Sequence, residues 1–409
     1  MRILLSEGAS TSAREAITAL GLRGHHIEVC DPDPHCMGRF SRYVRRFHRC
    51  PPLGTDPGGY LAFILERIAN ASFDVLLPIH EQGLVLAKAH KQVSRHVAIA
   101  LPSFDSYLRA HSKLGFSQIM SELGLPQPAT RVVANADELI DQKRFPMIVK
   151  TSVGTASRGI WIIKEEAQFE RALIELDQID AFDEPVLCQE LVEGEHRQSQ
   201  AVFANGRLIA AHAYRQVARG AGGGSAIKES VSHATVDFHL AQLGAYLHWH
   251  GALSVDYVVD PASGAPCYFD CNPRLVEPMS AAFAGLDLAD LLVQVSCGAV
   301  TAAAAQSTSG VRTHLALQAL MGCAAREESR LQLLRECWHL FARRGRYRDS
   351  VEELTPVAID WMSVVPTTVA ALWLLATPKA AHYLPKKGWG PQLLTPQSIR
   401  MIQALDVGG

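Results

Sequence analysis

Three side chains with oxygen donors lie close together in the sequence around residue 260. Asp256 falls in the apolar run 253–259, and Asp270 and Asn272 fall in the next run, after a turn with proline and glycine. Residues two apart on a strand share a face, so Asp270 and Asn272 should converge while Cys271 points away. Hard oxygen ligands of this kind suit Mg²⁺, which binds through few carboxylates together with substrate phosphates. The pattern predicts a magnesium site for nucleotide-dependent chemistry.

A loop of small residues, Thr151 to Gly159, follows the strand that Lys150 ends. Its backbone N–H groups could hold phosphates, because missing side chains allow close approach; an ordinary hairpin turn is the alternative. A Walker A motif is excluded, since no Gly-Lys-Ser/Thr follows and a strand comes next. Lys113, at the start of an amphipathic helix, could reach a phosphate as a point charge or be a surface lysine.

Two further segments are candidates for ligand contacts. The segment 189–195 could pair an edge strand with adenine and place acids near ribose hydroxyls, or it could be a solvated acidic turn. The glycine-rich segment 219–229 predicts a mobile loop over the substrate, in which Arg215, Arg219 or Lys228 would contact a carboxylate or phosphate. The alternative is a connecting loop without a functional role. His80 and Glu81 end a strand, where they could face the site or form a structural pair.

Composition and charge narrow the class of protein. The 409 residues are 48% hydrophobic and 20% charged, which is typical of a globular protein. The net charge of −2 gives no reason to expect nucleic acid as a partner. Nine cysteines without CxxC pairs indicate buried thiols, which favours a cytoplasmic location. The apolar segment 364–376 is too short to span a membrane and predicts an interfacial or buried helix.

The apolar periodicities predict a fold of mixed α/β and α+β character in three parts. Residues 1–105 alternate strands and helices, which predicts a doubly wound, Rossmann-like sheet closed by a strand at 97–101. Residues 106–300 predict two α+β subdomains, with strand 186–190 pairing with strand 198–203 across a turn at Gly194. Asn205-Gly206 is a strong hairpin signal. Residues 301–409 predict a mostly helical region from about Val311.

The order of these motifs resembles that of the ATP-grasp superfamily, over about 300 residues including a pre-grasp domain. The resemblance implies that nucleotide lies between two α+β subdomains. It also implies two nucleotide-binding lysines, a flexible lid over the phosphates and a hinge that contacts adenine. The acid that binds the ribose would be Glu195 or Glu193. The metal ligands would be followed by Arg274, which would contact the reacting acyl group. The implied nucleotide and metal residues are Lys113, Lys150, Ser152, Gly154, Thr155, Ala156, Ser157, Gly159, Glu190, Leu191, Val192, Asp256, Asp270 and Asn272.

The resemblance implies a ligase that uses ATP and two Mg²⁺ ions, with Mn²⁺ as an alternative ion. ATP would phosphorylate a small-molecule carboxylate, and an amine would attack the acyl phosphate. A homodimer is the expected assembly. Two alternatives stay open at this point: a bicarbonate-using carboxylase or carbamoyl-phosphate-type enzyme, in which Glu277, three residues after Arg274, would handle bicarbonate, and a non-catalytic ATP-binding protein.

Overall fold

Three sheets with helices between and around them form the computed structural model. It describes residues 1–154, 158–300, 305–327, 329–354, 358–382 and 392–407. The sheets have four, eight and four strands, and the fold is mixed α/β.

The N-terminal sheet is parallel, with strand order β3-β2-β1-β4. Its strands are β1 (Arg2–Leu5), β2 (His26–Asp31), β3 (Val44–Arg49) and β4 (Val75–Leu77). The helices of this part are α1 (Thr11–Leu22), α2 (Pro57–Asn70), α3 (Gly83–Lys88), α4 (His90–Val93), α5 (Phe104–His111) and α6 (Lys113–Glu122). Ile3 and Leu5 pack into one core cluster and Leu4 into another. Both faces of the sheet are therefore covered, which explains the continuous apolar runs.

One edge of this sheet differs from the prediction. The segment 97–101 is not a strand, since only Ala98 forms an isolated bridge, to Val75. The opposite edge instead carries β3, which the sequence analysis missed. Its sequence Val-Arg-Arg-Phe-His-Arg lacks an apolar run because β3 is an edge strand with exposed positions.

The smaller antiparallel sheet has the order β5-β8-β6-β7. Its strands are β5 (Thr130–Val133), β6 (Met147–Lys150), β7 (Ile160–Ile163) and β8 (Val186–Glu190). Two helices, α7 (Ala136–Asp141) and α8 (Glu166–Gln178), cover one face. Leu139 of α7 and Phe169, Ala172 and Leu176 of α8 form a separate core with this sheet. Lys150 is the last residue of β6, so this sheet holds it at a strand end.

The large central sheet follows the order β13-β12-β9-β10-β11-β15-β16, with β14 paired to β10. Its strands are β9 (Glu195–Ala204), β10 (Arg207–Arg219), β11 (Ser225–Val231), β12 (Gly251–Val259), β13 (Pro266–Asn272), β14 (Ala305–Gln306), β15 (Arg312–His314) and β16 (Val351–Glu352). Helices α9 (Ala234–Tyr246), α10 (Met279–Phe283) and α11 (Leu288–Ser296) pack with it. Asn205 and Gly206 join β9 and β10 with φ of 48° and 86°, as the predicted two-residue hairpin requires.

Two predictions about this region are wrong. Strands β8 and β9 do not pair; they belong to different sheets, and residues 191–194 connect them. The segment 219–229 is mostly strand, because β10 and β11 form a hairpin whose turn is residues 220–224. Arg215 and Lys228 are therefore held on paired strands and do not belong to a mobile loop.

The C-terminal region begins with strand β15 on the central sheet and then becomes helical, so the predicted helical start at Val311 is corrected. Its helices are α12 (Ala316–Glu327), α13 (Arg330–Phe341), α14 (Val364–Ala376) and α15 (Pro396–Gln403). Arg14 of α1 donates to Asp360 at 2.9 Å, with both side chains buried. Within the described ranges, no helix is long and apolar enough to cross a membrane. All nine cysteines are free, and six of them are buried.

Candidate active site

The predicted acidic residues lie on one face of the β12–β13 hairpin. The antiparallel register places Asp256 directly opposite Asp270, and Ser254 opposite Asn272. Strand alternation sends Cys271 to the other face, where it packs in the core under α6 and α9. The amide of Asn272 donates to Asp256 Oδ2 at 3.1 Å. The hairpin therefore brings the three predicted metal ligands together.

Burial and the facing carboxylate make Asp256 harder to ionise. Burial raises the pKa of Asp256 to about 7, and the charge of Asp270 adds to the increase. Gln198 lies opposite Asp256 on β9 and donates to its Oδ1 at 2.8 Å, which opposes that increase. Like charges directly opposite each other on a strand pair are destabilising. A bound cation would offset the repulsion between Asp256 and Asp270.

Two lysines approach the acids from outside the central sheet. Lys150 extends from β6 and donates to the backbone oxygen of Phe269 at 3.0 Å, next to Asp270. Burial lowers the pKa of Lys150 to about 8, which Asp270 opposes and Lys113 reinforces. Lys113 is buried at the start of α6, and its ammonium donates to the backbone oxygen of Gly154. The two predicted nucleotide lysines therefore lie beside each other.

Arg274 follows the acidic pair and is buried. Its guanidinium donates to Asn272 Oδ1 at 3.0 Å, and its backbone oxygen accepts a hydrogen bond from Ser254 at 2.7 Å. Arg274 lines a cleft of about 460 Å³ together with Asp256, Asp270 and Asn272. A guanidinium in this position can bind a planar carboxylate through two hydrogen bonds.

The donor set fits Mg²⁺. In the described part of the chain, no three His, Cys, Asp or Glu side chains form a metal site by themselves. Asp256 and Asp270 provide two carboxylates and Asn272 an amide oxygen. Mg²⁺ needs no more than this from a protein, since substrate phosphates and water complete its shell. The repulsion between the facing carboxylates is the observation that supports a cation here.

Part of the predicted phosphate loop is described. Ser152 is buried, and its hydroxyl lies 2.9 Å from that of Ser112. Gly154 lines the cleft, and a side chain there would meet the backbone oxygen of Arg158 at 2.3 Å. Gly159 has φ of +67°, which favours glycine. Thr155, Ala156 and Ser157 lie outside the described residues. Glycine is thus favoured at both positions, and Gly154 lies beside Lys113.

The predicted adenine hinge occupies the connection between two sheets. Glu190 ends β8, and Leu191 and Val192 follow it in the segment that leads to β9. Glu195 begins β9, where it accepts from Arg197 at 2.6 Å and from Arg215 at 3.2 Å. Its carboxylate is thus already paired.

Two predicted catalytic residues do not line the cleft. Arg215 lies on β10 and donates to Glu229 at 2.8 Å as well as to Glu195. Lys228 is buried on β11, where it donates to Glu277 and, at 2.6 Å, to Glu353. These two glutamates balance the charge of Lys228, so the predicted contact of Lys228 with a substrate anion is not supported.

The structure adds His111 and Gln198 to the cleft lining. Burial lowers the pKa of His111, which therefore favours the neutral ring. Burial also lowers the pKa of His80 well below its usual value, and the charges of Arg274 and His111 reinforce the effect. His80 and Glu81 are buried; a carboxylate oxygen of Glu81 accepts from the backbone N–H of Leu394. His111 could have been identified from the sequence, because it lies two residues before Lys113.

Comparison with solved structures places this arrangement among known folds. The sequence matches no protein-family model. The biotin carboxylase domain dimer of the 2-oxoglutarate carboxylase from Hydrogenobacter thermophilus, in complex with MgADP, ADP and bicarbonate, is similar with a TM-score of 0.60 and 13% identity, over 76% of this chain and 73% of that one. The N5-carboxyaminoimidazole synthetase from Staphylococcus aureus, complexed with ADP, gives 0.60 and 12%, over 78% and 83%.

A third similar structure is the L-amino acid ligase from Bacillus licheniformis, with a TM-score of 0.55 and 14% identity, over 72% of this chain and 73% of that one. All three are ATP-grasp enzymes. The chain has the ATP-grasp fold. The resemblance that the sequence motifs predicted is thus confirmed for the fold. At such low identities, the reaction of this ATP-grasp chain has to be argued from its own residues.

Proposed function

We propose that the chain is an ATP-dependent ligase that joins a carboxylic acid to an amine. The carboxylate attacks the γ-phosphorus of ATP, forming an acyl phosphate and ADP. The amine nitrogen then attacks the acyl carbon, loses a proton and releases phosphate, so that an amide forms. The coarse class, a ligase using ATP, has the support of the three similar structures.

One observation carries the proposal: two lysines, one on β6 and one at the start of α6, lie beside two facing carboxylates of the central sheet. Lys113 and Lys150 provide positive charge on the side of the small sheet. Asp256 and Asp270 provide negative charge on the central sheet. Phosphoryl transfer depends on positioning and on charge neutralisation more than on covalent participation of the protein. The arrangement suits a polyphosphate bound together with a divalent cation.

Each side chain has a role that follows from its position. Lys113 and Lys150 would bind phosphate oxygens as point charges. Asp256, Asp270 and Asn272 would hold Mg²⁺, which when bound neutralises phosphate charge during transfer. Arg274 would bind the acid through two parallel hydrogen bonds and later stabilise the tetrahedral oxyanion. His111, whose lowered pKa favours the neutral ring, could accept the proton of the attacking amine.

Use of bicarbonate as the acid is the competing hypothesis. It would require a group that handles bicarbonate close to Arg274, and Glu277 is the candidate by sequence. Glu277 is buried with Lys228, and its other carboxylate oxygen lies 3.3 Å from the hydroxyl of Thr11. It does not line the cleft, so the geometry favours an organic carboxylate.

A screen of ADP release that crosses carboxylic acids with amines tests the proposal, followed by mass analysis of the adduct. We expect turnover only when both an acid and an amine are present. Asp270→Asn should abolish turnover while the protein stays folded. Asp260→Asn is the matched control, because Asp260 lies in the exposed turn of the same hairpin and accepts from Ser263. Release of ADP that requires bicarbonate and no organic acid would contradict the proposal.

A further inference from the structure

The cleft extends well beyond the acidic pair and Arg274. Its apolar end is lined by residues from four parts of the chain that the proposed reaction does not use. These residues are Met37, Val276, Leu317, Met321, Pro366 and Ala370. The whole cleft measures about 460 Å³, which is within the usual range for a small-molecule site.

Two C-terminal helices build this apolar end. Leu317 and Met321 are four residues apart on α12, and Pro366 and Ala370 are four apart on α14. Residues at this spacing lie on one face of a helix, so each helix presents a pair of apolar groups to the same cleft. Gln318, the polar residue of this wall, has its side-chain oxygen 3.1 Å from the backbone N–H of Ala221.

The glycine turn between β10 and β11 closes the chamber on another side. Ala221, Gly222 and Gly224 line the cleft. The turn packs closely on α12, since a side chain added at Gly322 would meet the backbone of Gly220 at 2.7 Å. Helix α12 therefore fixes both the apolar wall and the turn that covers it.

We propose that this end of the cleft is an acyl chamber, which binds the apolar substituent of the carboxylic acid. The inference rests on the proposed function for the position of the carboxylate at Arg274. Val276, two residues further along the chain, also lines the cleft and so leads from Arg274 into the apolar end. The lining residues on α12 and α14 carry no charge, so this wall suits an alkyl or aryl group, while Asp33 and His35 add polar groups on the side of Met37. The substrate class is thus an acid with an extended apolar group.

The chamber predicts a dependence on chain length. Each methylene that enters an apolar site should improve kcat/KM about fourfold, until the chamber is full. The experiment uses the full-length protein with Mg²⁺ and ATP, straight-chain saturated acids from acetate to decanoate, and hydroxylamine as the nucleophile. The hydroxamate product measures acyl activation directly. Calorimetric titration of the same acids in the presence of Mg²⁺ and ADP measures binding without turnover.

Two variants should move the preferred length in opposite directions. Ala370→Trp fills the chamber and should shift the optimum to shorter acids. Leu317→Ala enlarges it and should shift the optimum to longer ones. Val369→Trp is the matched control, since Val369 is 57% exposed on the same helix and should leave the profile unchanged. Should Ala370→Trp fail to fold, the shift in Leu317→Ala decides.

The two measurements separate this inference from the proposed function. Hydroxamate formation that does not depend on chain length, or that neither variant shifts, would overturn the acyl chamber and leave the ligase intact. Length-dependent binding that both variants shift, without hydroxamate from any acid, would support the chamber and contradict the ligase. Absence of hydroxamate from every acid, together with binding that does not depend on chain length, would contradict both.

Discussion

Replacing Asp256 with asparagine should stabilise the metal-free protein and abolish its activity. Asp256 faces Asp270 across the hairpin, and its environment raises its pKa to about 7 from the usual 3.8. A carboxyl whose pKa is raised by folding stabilises the folded state most below pH 3.8. That contribution is lost as the pH rises from 3.8 to about 7, because the folded protein binds the proton more tightly than the unfolded chain does.

The pKa gives the size of the effect. Each pH unit corresponds to about 1.4 kcal/mol, so ionised Asp256 lowers the free energy of unfolding by about 4 kcal/mol above pH 7. Asparagine removes this charge and keeps an acceptor oxygen for Gln198, but the amide of Asn272 loses its charged acceptor. Because the weaker hydrogen bond from Asn272 offsets part of the effect, we expect the free energy of unfolding to rise by roughly 1 to 4 kcal/mol above pH 7.

Urea unfolding at pH 5, 6, 7 and 8 in the presence of a chelator measures this difference. The stability of Asp256→Asn should decline less than that of the wild type across this range. Mg²⁺ with ADP should raise the unfolding temperature of the wild type and leave that of the variant nearly unchanged, because ligands stabilise the state that binds them. A variant that is less stable than the wild type at pH 8 would refute the argument from facing carboxylates.

Three further substitutions test separate parts of the structure. Arg274→Lys should lower kcat/KM for the acid about 100-fold without changing ADP affinity, because lysine cannot bind a carboxylate through a two-pronged contact; a parallel loss of ADP affinity in calorimetry would contradict this role. Lys228→Met should cost about 3 to 5 kcal/mol in unfolding experiments, because Glu277 and Glu353 lose the cation they share; near-normal stability would show that these ion pairs contribute little. Burial raises the pKa of Glu7 to about 7 from 4.5, so wild-type stability should fall as the pH rises from 4.5 to 7, and Glu7→Gln should reduce that fall; equal slopes in the two proteins would contradict the raised pKa.

The acidic face of the site could be predicted from the sequence because strand alternation is a local rule. Asp270 and Asn272 share a face with period two, and Cys271 between them lies in the core as expected. The Asn205-Gly206 hairpin was predictable for a similar reason, since its backbone requires positive φ at both positions. The alternation of strands and helices over β1, α1, β2, α2 and β4 was also predictable, from apolar periodicity. These features depend on neighbours in sequence.

Features set by distant residues could not be predicted in this way. Strands β8 and β9 look like a hairpin in sequence, but their side chains pack in different cores, which a local pattern does not reveal. The partners of Lys228 lie 49 and 125 residues away, so its glycine-rich surroundings indicated a free cation where the fold provides two glutamates. The contribution of α12 and α14 to the cleft could not be predicted either. An apolar helix face predicts burial but does not identify the surface that it packs against.

The charges of the site indicate that an anion and a cation would bind to it together. Burial moves the pKa of Asp256 up and that of Lys150 down, so each group is driven toward its neutral form although opposite charges lie nearby. The mutual attraction of these groups therefore falls short of replacing the water they have lost. A polyphosphate offers negative charge to the lysines, and a divalent cation offers positive charge to the carboxylates. Each of these ligands alone would leave half of the site unsatisfied, so binding of the pair should be cooperative, and Asp256 and Asp270 are the residues that would hold the cation.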